Sequence, residues 1–265
     1  MPAMPQPAAD DPQPAIPARH IPLAQELLWR AIILPSLWST FSAARAFVEG
    51  RLLRPADGPL IMYLTHTAWW DAYMPFLIRY AVLGGGWQHY AMMEEKQLRS
   101  FRFFAWCGAF SIDPANPGDA RRSLAYISRR LRERRDRCLW IFPQGRIVPA
   151  DRRPLVVYPG LARIVRQTGG ATLCPVALRY EFRGEQRPEV FIRIGPAHRA
   201  TGDTKTAALM ADIRARLTCA ADALREEVLH ERLERYQEIM RGRPGIDRVT
   251  EALLRLLPRR APRAR

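Results

Sequence analysis

Apolar residues fall along this chain in two rhythms. Leu60-Ile61-Met62-Tyr63-Leu64, set between Gly58-Pro59 and Thr65-His66, and Cys138-Leu139-Trp140-Ile141-Phe142, ending at Pro143, are short unbroken runs that suit strands buried on both faces. Trp87 to Met93, Gly108 to Ile112, Ala171 to Phe182 and Glu189 to Ile194 read as further strands. Between them the period lengthens to that of a helix. Asp119 to Arg137 carries the stripe Ala120, Leu124, Ile127, Leu131, and Thr206 to Met240 carries Leu209, Ile213, Leu217, Leu224 and Val228. Tyr158 to Thr168 is a shorter helix, and Glu94 starts another that carries Phe101, Phe103, Phe104 and Trp106. Strands alternating with helices predict an α/β fold, a mostly parallel or mixed sheet flanked by helices.

The two ends depart from that pattern. Residues 1–19, rich in Pro, Ala and Gln, read as a disordered tail. Residues 20–47 are strongly apolar, with Trp29 and Trp38 among many leucines and isoleucines, but Glu26, Arg30 and Pro35 interrupt any charge-free run of about 18 residues. The segment is therefore read as a kinked helical pair in the membrane interface, with the two tryptophans at headgroup depth; a helix covering the core is the other reading. Residues 48–242 form the α/β domain, and 243–265 a basic helix and tail suited to anionic lipid.

Charge narrows the partners without choosing one. Among 265 residues, 41 are Lys or Arg and 26 are Asp or Glu, a net charge of +15 that favours an anionic partner such as phospholipid headgroups, nucleic acid or an acidic substrate carrier. The basic residues are arginines apart from Lys96 and Lys205, and those on the 119–137 helix read as a solvated face partly paired with Glu133 and Asp136. No recognised nucleic-acid-binding module accompanies them, so nucleic acid is not expected as a partner. The four cysteines are widely spaced and none has zinc spacing, so no metal is expected, and the N-terminus lacks the pattern of an export signal.

Candidate chemistry starts at His66, placed where open α/β sheets put ligands, at the carboxyl end of a strand. Five residues on, Asp71 would lie about 140° away on a continuous helix, so only a His still in the loop can meet an Asp in the first helical turn. Such a carboxylate would hold one ring nitrogen and leave the other free as a base. From these two residues alone, a capping or core histidine beside a helix-starting Asp is an equal reading. Pro143-Gln144-Gly145-Arg146, ending a second strand, makes a weak cradle for a phosphate or hydroxyl, and Asp113 before Pro114 is first of all a turn former. Pro175 within a strand implies an edge, a bulge or a strand start.

Four blocks in order, His66-Thr67-Ala68-Trp69-Trp70-Asp71, Gly108 to Asp113, Phe142-Pro143-Gln144-Gly145 and Pro175-Val176-Ala177, resemble the glycerolipid acyltransferase superfamily, the group of the lysophosphatidic acid acyltransferases. The resemblance spans roughly residues 48 to 200, helped by Val48-Glu49-Gly50, Pro59, Lys96 and Leu98. It implies transfer of a fatty acyl group from acyl-CoA or acyl carrier protein to a hydroxyl of a membrane lipid, with His66 as base, Asp71 as its orienter and no cofactor. It also implies acceptor contacts from Gln144, Gly145, Arg146, Asp113 and Lys96, a donor contact at Pro175, and a peripheral place on the cytoplasmic face of an anionic membrane. The chain departs from the family at Gln144, where Glu is usual, at Arg146 and Ile147 for Thr and Arg, and at Pro114 for Arg. These changes touch the acceptor block and lean towards a neutral glycosylated or hydroxylated lipid, such as a carotenoid glycoside, over lysophosphatidic acid. A non-catalytic lipid-binding relative is a further alternative, against which the presence of both His66 and Asp71 argues.

Overall fold

A computed structural model of the chain describes residues 12–245. One mixed sheet runs through it, with strands β1 (Ala43–Val48), β2 (Leu60–Leu64), β3 (Gln88–Glu94), β4 (Ala109–Ile112), β5 (Arg137–Ile141), β6 (Gly170–Glu181), β7 (Glu189–Ile194), β8 (His198–Thr201) and β9 (Gln237–Arg241). The order is β4-β3-β5-β2-β6-β7-β1-β9, with β8 also on β6. From β4 to β6 all neighbours are parallel, while β7, β8 and β9 bring antiparallel pairs. The expected mixed α/β sheet is present.

Side-chain alternation explains why the central strands read as unbroken apolar runs. Leu60, Met62 and Leu64 of β2 face one core, and Ile61 and Tyr63 face another. The first core is covered by α1, which passes from Pro22–Leu28 through a π-helical stretch Trp29–Ile33 into Leu34–Thr40, and by α2, built of Trp69–Tyr73, Met74–Ile78 and Arg79–Leu83. The second lies under α5 (Pro117–Glu133), α6 (Gly160–Thr168) and α7 (Thr206–Leu229), while the short α3 (Glu95–Ser100) and α4 (Phe103–Trp106) connect β3 to β4. Pro35 accounts for the π stretch. It has no N–H for a carbonyl four residues back, and the ladder slips just before it, Leu34 N–H donating to the Trp29 carbonyl.

Several expectations change here. Residues 12–19 are not a free tail: Ile16 exchanges hydrogen bonds with Ser111 on the outer edge of β4, and Arg19 donates to the Ala105 carbonyl. An edge strand with unpaired backbone groups draws such a segment in. Residues 43–47 are not helical; they are most of β1, held between β7 and β9. Alanine-rich sequence favours helix in isolation, and pairing on both sides overrides it. Trp29 is buried and stacked on Tyr80, centroids 4.6 Å apart, so it is not at headgroup depth, whereas Trp38 is exposed. The helix from Thr206 ends at Leu229, where Glu231 takes a left-handed backbone, and the chain returns as β9. The helix expected from Glu94 is broken into α3 and α4, and Arg137 opens β5, where it is buried against Glu133. The outer parts of both expected tails, 1–11 and 246–265, lie outside the described residues. Among the described residues no helix is long and apolar enough to cross a membrane.

Candidate active site

β2 delivers His66 to the carboxyl edge of the parallel strands, and α2 begins at once behind it. Asp71 is the third residue of that helix, fully buried, and its carboxylate serves two purposes together. One oxygen, Oδ2, accepts the backbone N–H groups of Thr67 and Ala68, the cap that an acidic residue gives a helix start. The same oxygen lies 2.9 Å from His66 Nδ1. With donors already directed into it, Asp71 is the acceptor towards Nδ1, so the ring proton sits on Nδ1 and Nε2 carries the lone pair. The capping and orienting readings of this pair are thus the same arrangement.

The rest of His66 is held as closely. Its backbone N–H donates to Gln144 Oε1 at 2.7 Å, and its carbonyl accepts from Val148 N–H at 2.9 Å. Phe142 lies nearly parallel to the imidazole, centroids 4.4 Å apart. The side chain remains 21% exposed, so a reactant can reach it. On the far side of Asp71, Tyr180 of β6 donates its hydroxyl to Oδ1 at 2.6 Å. Burial, and then the Asp71 charge beside it, raise the Tyr180 phenol well above its ordinary range, which keeps it a donor. Thr65 stitches β2 to β6 at this point, donating its N–H to the Val176 carbonyl and accepting the Leu178 N–H at its hydroxyl.

The other candidates spread along the same edge. Gln144 is buried, with its carbonyl committed to the His66 backbone. Gly145 adopts φ +67°, and a Cβ there would meet the Tyr158 ring at 3.0 Å, so this glycine serves the turn and its packing. Arg146 is exposed beside the dyad loop and has no ion-pair partner among the described residues. Asp113 accepts the Ala115 N–H in a turn, as its place before Pro114 suggests. It follows β4, three strands from β2 and so about 14 Å across the sheet. Lys96 is exposed on α3, two strand spacings away. Pro175 is buried inside β6 at the gap between its pairing with β8 and with β7, where no ladder N–H is needed. No hydrogen bond, ion pair or ring contact joins Asp113, Lys96 or Pro175 to the dyad among the described residues. Tyr180 escaped the sequence reading, and Phe142 entered it only as a strand-end and block residue, not as the ring against His66; Tyr180 lies near the carboxyl end of β6 and Phe142 just past that of β5, the two strands that flank β2.

The arginine face of α5 is partly paired and keeps an excess of positive charge. Arg129, Arg130 and Arg137 share Glu133, and Arg134 pairs with Asp136. Among the described residues no group of His, Cys, Asp and Glu side chains could hold a metal ion.

The Acyltransferase family model matches residues 45–179, just over half of the chain and a span that contains all four blocks. The chain belongs to that family, as the ordered blocks imply. Among solved structures, 1-acyl-sn-glycerophosphate (LPA) acyltransferase, PlsC, from Thermotoga maritima is similar, with 16% identity over 77% of this chain and 78% of that one and a TM-score of 0.49. No curated protein matches the sequence.

Proposed function

We propose that this acyltransferase moves a fatty acyl group from a thioester to a hydroxyl of a membrane lipid, with His66 as general base. The observation that carries this reading is the 2.9 Å contact of His66 Nδ1 with the buried Asp71, which leaves Nε2 free at an accessible strand end. Nε2 takes the proton of the acceptor hydroxyl as its oxygen attacks the thioester carbonyl carbon. Asp71 stabilises the imidazolium that forms. The tetrahedral intermediate then expels the thiolate, which takes the proton back from Nε2, releasing free thiol and leaving an ester. No acyl-enzyme is required. The test is incubation with labelled palmitoyl-CoA, or palmitoyl-acyl carrier protein, and a total lipid extract, followed by mass spectrometry. Label entering a lipid with wild type and not with His66→Ala supports the reading; equal labelling by both rejects it.

The acceptor reading shifts with the geometry. Gln144 has its carbonyl occupied and is 4% exposed, so it is poorly placed to choose between neutral and charged head groups. Arg146, exposed and without an ion-pair partner among the described residues, is the better-placed group and favours an acceptor with an anionic head group, such as lysophosphatidic acid, over a carotenoid glycoside. A competition between lysophosphatidic acid and a neutral glycolipid, in wild type and Arg146→Ala, separates the two.

We infer a peripheral place on the cytoplasmic face of a membrane, and the apolar outer ridge of α1 supports the membrane contact itself. Leu23, Leu27, Ile32 and Trp38 are exposed there, and Trp106, whose carbonyl accepts the Ile21 N–H, continues the apolar surface. Leu23→Glu with Leu27→Glu replaces two exposed side chains, so flotation with vesicles of an anionic phospholipid should fall while the fold persists. Unchanged flotation rejects this anchor.

A further inference from the structure

The proposed dyad is held by a third residue. We propose that Tyr180 is a positioning residue for the base: by donating to Asp71 Oδ1 it fixes the carboxylate so that Oδ2 faces His66 Nδ1, and it moderates the negative charge that the imidazole feels. This inference rests on the general-base reading of His66 given above.

Three observations carry it. Oδ2 already accepts from Thr67, Ala68 and His66, so Tyr180 is the hydrogen-bond donor of Oδ1, and without it that oxygen of a fully buried carboxylate would face the core unpaired. The Tyr180 ring is itself fixed, stacked on Phe41 at the end of α1 with centroids 5.7 Å apart, and Phe41 in turn meets the edge of Trp70, the residue before Asp71. Finally, the Thr65 stitches lock β6 to β2 two residues short of Tyr180, so the hydroxyl arrives in register with the dyad. α1, α2 and β6 thereby converge on one carboxylate.

The titratable groups facing one another here are His66 and Asp71 from β2 and α2 and Tyr180 from β6. The loop after β5 contributes the neutral Phe142 and Gln144, with Arg146 exposed beyond them, and α1 contributes Phe41. Arg179 and Glu181, the neighbours of Tyr180, alternate to the other side of the strand and pair together, Arg179 also with Asp151.

Removing the hydroxyl leaves more of the Asp71 charge directed at Nδ1, which favours the protonated imidazole. Tyr180→Phe should therefore move the acid limb of kcat/KM to higher pH by about half to one unit, and should lower kcat roughly tenfold with both KM values nearly unchanged. Carbethoxylation of His66 by diethyl pyrocarbonate at slightly acid pH, followed by peptide mass spectrometry, should slow in the same variant; this readout needs no lipid. On an Asp71→Asn background the substitution should cost no more than about twofold, because the group it acts through is gone. Placing 3-fluorotyrosine at 180 keeps the shape and strengthens donation, so it should move the acid limb the other way even if the Phe variant folds poorly. An unshifted limb and unchanged His66 carbethoxylation in folded Tyr180→Phe overturn the proposal. Retained acyl transfer by His66→Ala, with the carbethoxylation effect present, instead overturns the general-base reading and leaves the link from Tyr180 to His66 standing.

Discussion

His66 and His89 lie on the same sheet and have been given opposite surroundings. His66 stands past the end of β2 with a carboxylate at Nδ1, donors behind that carboxylate, and one edge open. His89 is buried within β3, where its Nδ1 accepts the Trp140 indole N–H at 2.9 Å and its Nε2 has no partner among the described residues. Burial, with the charges of Arg79 and His20 added, pushes the His89 imidazole down to about 3. No carboxylate among the described residues offsets this. A histidine is thus made a base or a packing residue by whether an acceptor orients the nitrogen that donates and whether solvent reaches the other.

The sharpest way to break this comparison is to remove each ring in turn. His66→Ala should lower turnover by roughly 10²–10⁴-fold with the melting temperature almost unchanged, since the ring sits at an accessible strand end. Asp71→Asn should cost a similar factor, because an amide can offer its N–H to Nδ1 and reverse the tautomer, and should also loosen the start of α2. His89→Leu should do the opposite: activity per folded molecule persists, while stability falls by about 1–3 kcal/mol as the Trp140 N–H loses its acceptor. Loss of activity in folded His89→Leu would show that the two rings are not separable.

Acid sharpens the same contrast. The folded protein holds His89 neutral down to about 3, whereas the unfolded chain takes up a proton near the ordinary value of 6.5, so between these limits the unfolded state binds more protons. Stability from this residue is therefore complete above about pH 6.5 and falls by up to about 1.4 kcal/mol for each unit of acidification below it. His20, whose Nε2 donates to the His89 carbonyl and which burial also lowers, adds in the same direction. Urea midpoints measured at neutral and mildly acid pH should converge in His89→Leu relative to wild type. Equal acid sensitivity in the two proteins would place the proton uptake elsewhere.

Much of this was legible in the sequence where both faces of an element are buried or where residue types are restrictive. β2 and β5 read through as apolar runs because cores lie on either side, and the spacing of His66 and Asp71 told of a loop residue meeting the first helical turn. What was not legible depends on partners distant in the chain. Ala43–Val48 is a strand because β7 and β9 flank it, and residues 12–19 are ordered because β4 offers an open edge. Tyr180 stands 109 residues from Asp71, and no local pattern marks a hydroxyl whose partner is set by strand order. Trp29 and Trp38 looked alike until the face of α1 that meets α2 was known.

The smallest expected effect concerns Gln144, which separates holding the backbone of His66 from tuning its ring. The 2.7 Å contact asks only for an acceptor oxygen, and a glutamate supplies one as well as a glutamine does. What Gln144→Glu adds is a charge at a site 4% exposed, close behind the imidazole, where it would favour the protonated ring. On the alkaline plateau of the pH profile the rate should change by less than about threefold, and only the acid limb should move. Gln144→Leu removes the acceptor and leaves the His66 N–H unpaired, which frees the loop that Val148 and Phe142 also hold. That variant should lose roughly tenfold at all pH values, with the limb unmoved, because the ring keeps its carboxylate and only its placement suffers. If Gln144→Leu shifted the limb and Gln144→Glu did not, the glutamine would be acting on the charge of His66, and the backbone hold would not be its function.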